Sequence, residues 1–323
     1  MANVNAATTE WNLPNYVGEF LQLGSKRSPF ITYLGGMNSA MVHPSMEFVM
    51  GNYWTPETAS QPDISETASL TAPTPWTYVP DQSSNVCQIY QRQISMSYIA
   101  MSERARVEGI ALTGNGMMST GENKLDKQVE ANLRQLALDL DYTCINGTYE
   151  RPANSAASYR TRGIVTAVDA GSTTVPAGDK DLSKTLIELL TTTMANVADF
   201  ERPVIWVNAF QMHQLNDIYG FAPEHRTIGG VDIRTILLPI VGQAEVIFEP
   251  YMPTSTLLLA DMAKCGLVFT PVPDEDNGGY KGVLFLEKIS KSGASSNWQL
   301  YSQIGLDYGH AHFHGTITGL TTS

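Results

Sequence analysis

The chain has 323 residues, 43% of them hydrophobic and 16% charged, with a formal net charge of −12. That length and balance describe a folded protein that buries about three quarters of its unfolded surface, which argues against a disordered one. The negative balance argues against a basic face that grips nucleic acid.

Residues 1–50 lack clear periodicity and carry one basic pair, Lys26 and Arg27, so an extended N-terminal arm is expected there. No basic stretch followed by an apolar run opens the sequence, and no secretory signal is expected. Gly51 to Val86 holds five of the seventeen prolines and four acids, Glu57, Asp63, Glu66 and Asp81, with no lysine or arginine. Proline blocks both helix and central strand, so this stretch reads as a long extended loop with one hairpin at most. Trp54, Trp76 and Tyr78 give it apolar anchors that a disordered linker would lack. Its packing partner is therefore expected on another chain.

Val86 to Ile99 alternates as a strand does. Beyond Gly121, the run ENKLDKQVEANLRQLALDLDYTCI (residues 122–145) places Leu125, Val129, Leu133, Leu136 and Leu140 on one stripe. Glu122 in the first turn and Asn146-Gly147 beyond the last mark its ends, and the rod is about 36 Å long. DLSKTLIELLTTTMANVAD and AFQMHQLNDIYG read as helices. PVIWVN, VDIRTILL, QAEVIFEP, TLLLAD and GLVFTPV read as strands, with two more near 283–289 and 298–318. The expected class is α+β, helices gathered around a mostly antiparallel sheet. The longest aliphatic run, Ile236 to Val241, contains a proline and is far too short to span a bilayer.

DYGHAHFHGTIT places His310, His312 and His314 at alternate positions. On one strand such residues lie about 6.6 Å apart, so neighbours can share an ion but all three cannot. His213 and His225 are isolated, and Cys87, Cys144 and Cys265 form no CxxC pair. The expectation is a strand with one polar, partly exposed face, free thiols in a reducing compartment, and no metal or cofactor. A metal-dependent enzyme built on the three histidines is the alternative from another class. Other chemistry motifs fail. Gly116 and Gly121 have phosphate-loop spacing, but Glu122 and Asn123 replace the required Lys and Ser/Thr, and Ser119 spoils GxGxxG. DEDNGG opens like a calcium loop, yet Phe285 stands where its bidentate glutamate belongs. No catalytic residue is expected.

In order and spacing the chain resembles a tailed-phage major capsid protein of the Hong Kong 97 type. CQIYQRQISMS with the helix ending in CINGT resembles that family's strand and spine helix. VIWVNAFQMHQLNDIY resembles a strand–helix unit of its axial domain, and NWQLYSQIGLDYGHAHFHGTITGL its closing strand. The resemblance implies an arm and start of the peripheral domain (1–50), an extended loop (51–86) and a peripheral domain with the spine helix (87–162). An axial domain (163–286) and closing peripheral strands (287–323) follow. It also implies pentamers and hexamers of this chain tiling an icosahedral shell around double-stranded DNA, with portal, scaffolding and decoration proteins as partners and no membrane. Synthesis and assembly are then expected in the bacterial host cytoplasm, and residence in the virion.

The loop contains no lysine, so the Lys–Asn crosslink that some relatives carry is not expected. The long charged scaffold segment of the family is also not seen, so either a separate scaffolding protein is expected or the early arm takes over part of that work. Loop acids are expected to meet Lys124, Lys127 and Arg134 on the spine helix, or Lys26 and Arg27 on the arm, of a neighbouring copy. Trp54 and Trp76 are expected to anchor the same contact, with burial of each within its own subunit as the alternative. An encapsulin-like shell is the alternative within the fold, while a tail-tube or tail-sheath subunit disagrees with the long helix and loop.

Overall fold

The computed structural model describes residues 27–54, 57–73, 75, 77–99, 120–169, 173–196, 199–220, 226–228, 231–274, 278–291 and 293–322. In chain order the elements are α1 (Pro29–Tyr33), β1 (Met41–Val42), β2 (Glu47–Tyr53), α2 (Glu66–Ser69), β3 (Asp81–Val86), β4 (Gln88–Ser97) and α3 (Thr120–Asn146). Then come α4 (Ile164–Asp169), β5 (Thr174–Lys180), α5 (Lys184–Ala195), β6 (Pro203–Val207), α6 (Ala209–Tyr219), β7 (Arg226–Ile228) and β8 (Val231–Leu238). The chain closes with β9 (Gly242–Phe248), β10 (Leu257–Asp261), β11 (Gly266–Phe269), β12 (Leu284–Ile289), β13 (Ser295–Asp307) and β14 (His314–Leu320).

Three sheets carry the strands. A seven-stranded mixed sheet runs β5-β14-β10-β6-β9-β8-β7. Its central strands β6 and β10 are nearly all apolar and buried on both faces, as the middle of a covered sheet requires. Helices α5 and α6 pack against this sheet through Ile187, Leu190, Met194 and Leu215. Ser183 caps α5 by accepting from the Leu186 amide, and Asn208 caps α6 by accepting from the Gln211 amide. A second sheet gathers β1, β11, β13 and β12, with β4 along the other edge of β13. The third is the two-stranded ribbon β2–β3.

Helix α3 spans 27 residues, about 40 Å. Its expected stripe divides along the rod. Leu136 and Leu140 are buried, joined by Leu138, Cys144 and Ile145, whereas Leu125, Val129 and Leu133 are half-buried. At its C-terminal end two glycines let backbones cross. A Cβ on Gly147 would lie 2.4 Å from the Thr161 carbonyl oxygen, and one on Gly163 would lie 2.5 Å from the Gly147 nitrogen. The Gly163 amide donates to the Gly147 carbonyl across this crossing.

Several expectations change. The expected arm gives way to packed structure after residue 28: Phe30 and Tyr33 of α1 bracket the fully buried Trp206 ring at 5.1 and 5.7 Å. The helix expected over 181–199 is shorter, Lys184–Ala195, because Ser183 caps it late. The strand β5, with Pro176 inside it and Gly178 and Asp179 at positive φ, was not foreseen. Sheet membership also departs from the expected segments. β14 pairs with β10 and β5 in the seven-stranded sheet, and β11 pairs with β13 in the five-stranded one.

The largest correction concerns the histidines. The strand expected over 298–318 is two strands, β13 and β14, separated by a turn in which Gly309 takes φ +67 and Ala311–Phe313 forms a 3-10 turn. The three histidines therefore share no strand face. His314 is wholly buried, not partly exposed.

Candidate assembly surface

The ribbon β2–β3 ends on the rung Tyr53–Asp81, with a register shift between Val49 and Asn52 where Gly51 takes φ +100. Beyond that rung the chain leaves its own body. Every described residue from 57 to 80 is exposed, including Ile64 (69%), Leu70 (85%) and Val79 (80%). One helical turn, α2, forms there because the Ser65 hydroxyl accepts from the Ala68 amide and Glu66 sits in the first turn. At the neck, the Trp54 and Tyr78 rings pack 4.7 Å apart. Both stay more than half exposed.

The base of the ribbon, by contrast, is fastened. Asn85 is fully buried. Its Nδ2 donates to the Leu306 carbonyl at 2.7 Å and the Arg162 carbonyl at 3.1 Å, while its Oδ1 accepts from the Arg162 amide at 2.8 Å and the Val86 amide at 2.9 Å. One side chain thus joins the ribbon to β13 and to the segment after α3. On the other flank, the turn 308–313 props the last rung. His310 Nε2 lies 3.2 Å from Asp81 Oδ2, and the Tyr53 ring meets His310 and Phe313 edge-on at 5.5 and 5.0 Å.

The histidines are spoken for. His314 Nε2 donates to the Tyr308 carbonyl at 2.6 Å and Nδ1 accepts from the Asp261 amide at 3.3 Å, so the buried ring is neutral. Burial holds it down to about 4, against smaller opposing effects of the Tyr308 bond and the Asp261 charge. With both nitrogens engaged, the trio has no third ligand to offer. No group of three or more His, Cys, Asp or Glu among the described residues is arranged to hold a metal ion.

Of the expected contact residues, Glu57, Asp63 and Glu66 are exposed on the loop. Asp81 instead meets His310 of its own chain, and Arg134 meets Glu130 one helical turn away at 2.5 Å. Arg27 is exposed just before α1. Lys124 and Lys127 lie in the first half of α3. Lys26 and Trp76 lie outside the described residues. Between β4 and α3 runs a groove of about 780 Å³, lined by Ile89, Arg92, Leu136, Leu138, Asp139 and Tyr142. An Arg92–Asp139 ion pair crosses it at 2.5 Å.

A buried acid pair went unanticipated. Asp141 on α3 and Glu249 after β9 are both fully buried and face one another. Asp141 accepts from the Ile31 amide and Glu249 from the Tyr251 amide. Burial pushes both carboxyls up, and the Asp141 charge pushes Glu249 further, so Glu249 keeps its proton. A sequence signal existed: Glu249 has the strand parity of buried Ile247, and Asp141 lies between Leu140 and Cys144 on the buried flank of α3.

Comparisons with known proteins agree on the architecture. No curated protein matches the sequence. The capsid asymmetric unit of cyanophage A-1(L) superposes with a TM-score of 0.63 at 11% identity, covering 96% of this chain and 97% of that one. The holo-SrpI encapsulin complex from Synechococcus elongatus PCC 7942 gives 0.58 at 10% identity, covering 100% and 97%. The capsid of a native GTA particle gives 0.56 at 12% identity, covering 98% and 99%. These likenesses establish the expected α+β capsid fold of the Hong Kong 97 type. The profile of the SU10 major capsid protein matches residues 3–321, and the chain, a structural subunit of a virion shell, belongs to that family.

Proposed function

We propose that this subunit closes its shell by laying residues 54–80 across a neighbouring copy within pentamers and hexamers. The observation that carries this reading is the full exposure of a segment with Ile64, Leu70 and Val79 on it, an apolar display that a lone soluble chain has no reason to keep. The loop acids Glu57, Asp63 and Glu66 face Lys124, Lys127 or Arg134 of the neighbour's α3, or Lys26 and Arg27 of its arm. Each exposed pair adds only about 0.2–1 kcal/mol, repeated at every contact. Trp54 and Trp76 anchor the neck of the same contact. The shell encloses double-stranded DNA without binding it specifically, assembles in the host cytoplasm with portal and scaffolding proteins, and performs no catalysis.

Ile64→Asp with Leu70→Asp tests the loop directly. Both side chains are exposed, so the subunit folds as before while shell yield collapses. Shells formed at wild-type yield would overturn the reading. Trp54→Ala is expected to lower shell yield with folding unchanged. On a denaturing gel, particles run as single chains, because the loop has no lysine to crosslink. The full-length likeness to an encapsulin supports one rival, a cellular compartment. Purified particles decide it: protein cargo in place of a genome establishes the rival.

A further inference from the structure

Three segments meet at the buried acid pair. Asp141 comes from the inner flank of α3, Glu249 from the turn that follows β9, and the Ile31 amide from α1. Each carboxyl is half satisfied. Asp141 Oδ1 accepts from the Ile31 amide at 2.9 Å, and Glu249 Oε1 from the Tyr251 amide at 3.0 Å. Their second oxygens, Asp141 Oδ2 and Glu249 Oε2, are buried and meet no amide or hydroxyl donor among the described residues. The two side chains nevertheless bond one another, in a way that favours an ionised Asp141 and a neutral Glu249. Two ionised carboxylates are acceptors only, so that bond needs a proton.

Two further contacts close the same seam between helix and turn. Asn146 Nδ2 donates to the Tyr251 carbonyl at 2.7 Å, and the Tyr142 and Tyr251 rings meet edge-on at 5.8 Å. Both tyrosines also line the groove of about 780 Å³ between β4 and α3. Each lies within two residues of one of the acids, so the aromatic pair stands between the groove and the buried carboxyls. We propose that one proton shared between Asp141 Oδ2 and Glu249 Oε2 locks this seam, which stays closed while the proton is held and opens into the groove once it is lost. The lock is independent of how the loop docks.

Losing the proton leaves two buried anions in contact, an arrangement that only water entry relieves. The closed seam binds the proton more tightly than an opened, hydrated one, so rising pH drives opening. Burial raises both carboxyls, and the Asp141 charge raises Glu249 further, against the pull of the Ile31, Tyr251 and Phe30 amides. The titratable and charged neighbours offer no substitute for the proton. On α3, Asp139 is spent on Arg92, and burial keeps the Cys144 thiol protonated. In the turn, burial and the charges of both acids raise the Tyr251 hydroxyl. On α1, Tyr33 is bonded to Glu245, with the Arg202 guanidinium 4.3 Å over its ring. Cys265, just before β11, is a second buried and protonated thiol. The Glu249 backbone keeps its place, since its amide donates to the Val207 carbonyl at 2.8 Å. What yields is the outer edge of the seam, Tyr251 against Tyr142.

Cys144 reports the opening. It is fully buried, three residues beyond Asp141, and it senses the charge of both acids. The full-length subunit is pulsed with iodoacetamide at about pH 7 and about pH 10, the second lying above the range of about 8–9 that buried glutamates reach. Labelling at each cysteine is read by peptide mass spectrometry and divided by its rate in the urea-unfolded chain at the same pH, which cancels thiolate chemistry. Wild-type Cys144 should lose protection by about tenfold per pH unit once the shared proton leaves, while the buried Cys87, ahead of β4, stays protected. Glu249→Gln sets an Nε2 donor against Asp141 Oδ2, and Asp141→Asn sets an Nδ2 donor against Glu249 Oε2, so each variant holds the seam shut at both pH values. Constant protection of Cys144 in the wild type overturns the lock. So does an equal loss in whichever variant folds, or a parallel loss at Cys87, which marks global unfolding in place of a local opening.

Discussion

His314 gives the subunit a defined acid sensitivity whose size follows from its surroundings. The ring is fully buried, donates through Nε2 and accepts through Nδ1. Adding a proton to Nδ1 would bury a cation and set it against the Asp261 amide. The ring titrates near 4 in the folded chain, against 6.5 for an ordinary imidazole. Above 6.5 both folded and unfolded chains carry it neutral, and nothing is lost. As pH falls below 6.5 the unfolded chain takes up a proton that the folded chain refuses, so stability declines until the folded ring also titrates. The gap is worth about 3 kcal/mol by pH 4. His314→Asn removes the titration while placing Oδ1 where Nδ1 accepts. Urea unfolding of the unassembled subunit, followed by circular dichroism from pH 7 to pH 4, should show wild type losing about 3 kcal/mol more than the variant over that range. Parallel pH profiles would refute the argument.

The buried acid pair predicts the opposite slope. With both folded carboxyls raised, the folded chain holds a proton that the unfolded chain releases above its ordinary carboxylate range, so wild-type stability falls as pH rises, and Glu249→Gln should flatten that fall in thermal melts across neutral to alkaline pH. Asn85→Ala strands two buried amides and two carbonyls, and calorimetry should register a loss of about 3 kcal/mol or more. Gly147→Ala drives a Cβ to 2.4 and 2.5 Å from two backbone oxygens, whereas at Gly282 the nearest atom is 3.8 Å away. The first should abolish soluble subunit and Gly282→Ala should leave its yield unchanged, as judged by gel filtration.

What the sequence made legible, and what it hid, separate along one physical line. The spine helix was readable because its period, first-turn acid and closing Asn-Gly are all local. The structure extends the expected 122–145 only to Thr120–Asn146. Of the loop expected over 51–86, every described residue from 57 to 80 is exposed, whereas its two ends pair as the ribbon β2–β3. The histidine strand was misread because alternation alone does not reveal a glycine that leaves the β region. Gly309 at φ +67 turns the chain, sending His310 and His312 to the ribbon and His314 to the core. Asn85 and the Asp141–Glu249 pair were hidden for a different reason. Their partners lie 77, 221 and roughly a hundred positions away, and nothing in a local window announces a bond across the fold. Asp81 and Arg134, expected to meet a neighbouring copy, each also have an ion-pair partner in their own chain, Asp81 in His310 across the fold and Arg134 in Glu130 one turn back.

The ribbon therefore separates two kinds of failure. Its base is held by four hydrogen bonds of one buried asparagine and by the aromatic turn, so damage there subtracts from the fold. In its far part every described residue from 57 to 80 is exposed, so on the proposed reading damage at Leu70 subtracts from the contact and not from the fold. Asn85→Ala should then lower melting temperature and shell yield together, and a temperature low enough to restore folding should restore shells. Ile64→Asp with Leu70→Asp should lower shell yield at an unchanged melting temperature, with no rescue on cooling. A loop variant that destabilises the free subunit as much as the Asn85 variant does would show that the segment packs on its own body. An extended loop launched from a rigid base would then be the wrong description of how this chain reaches its neighbour.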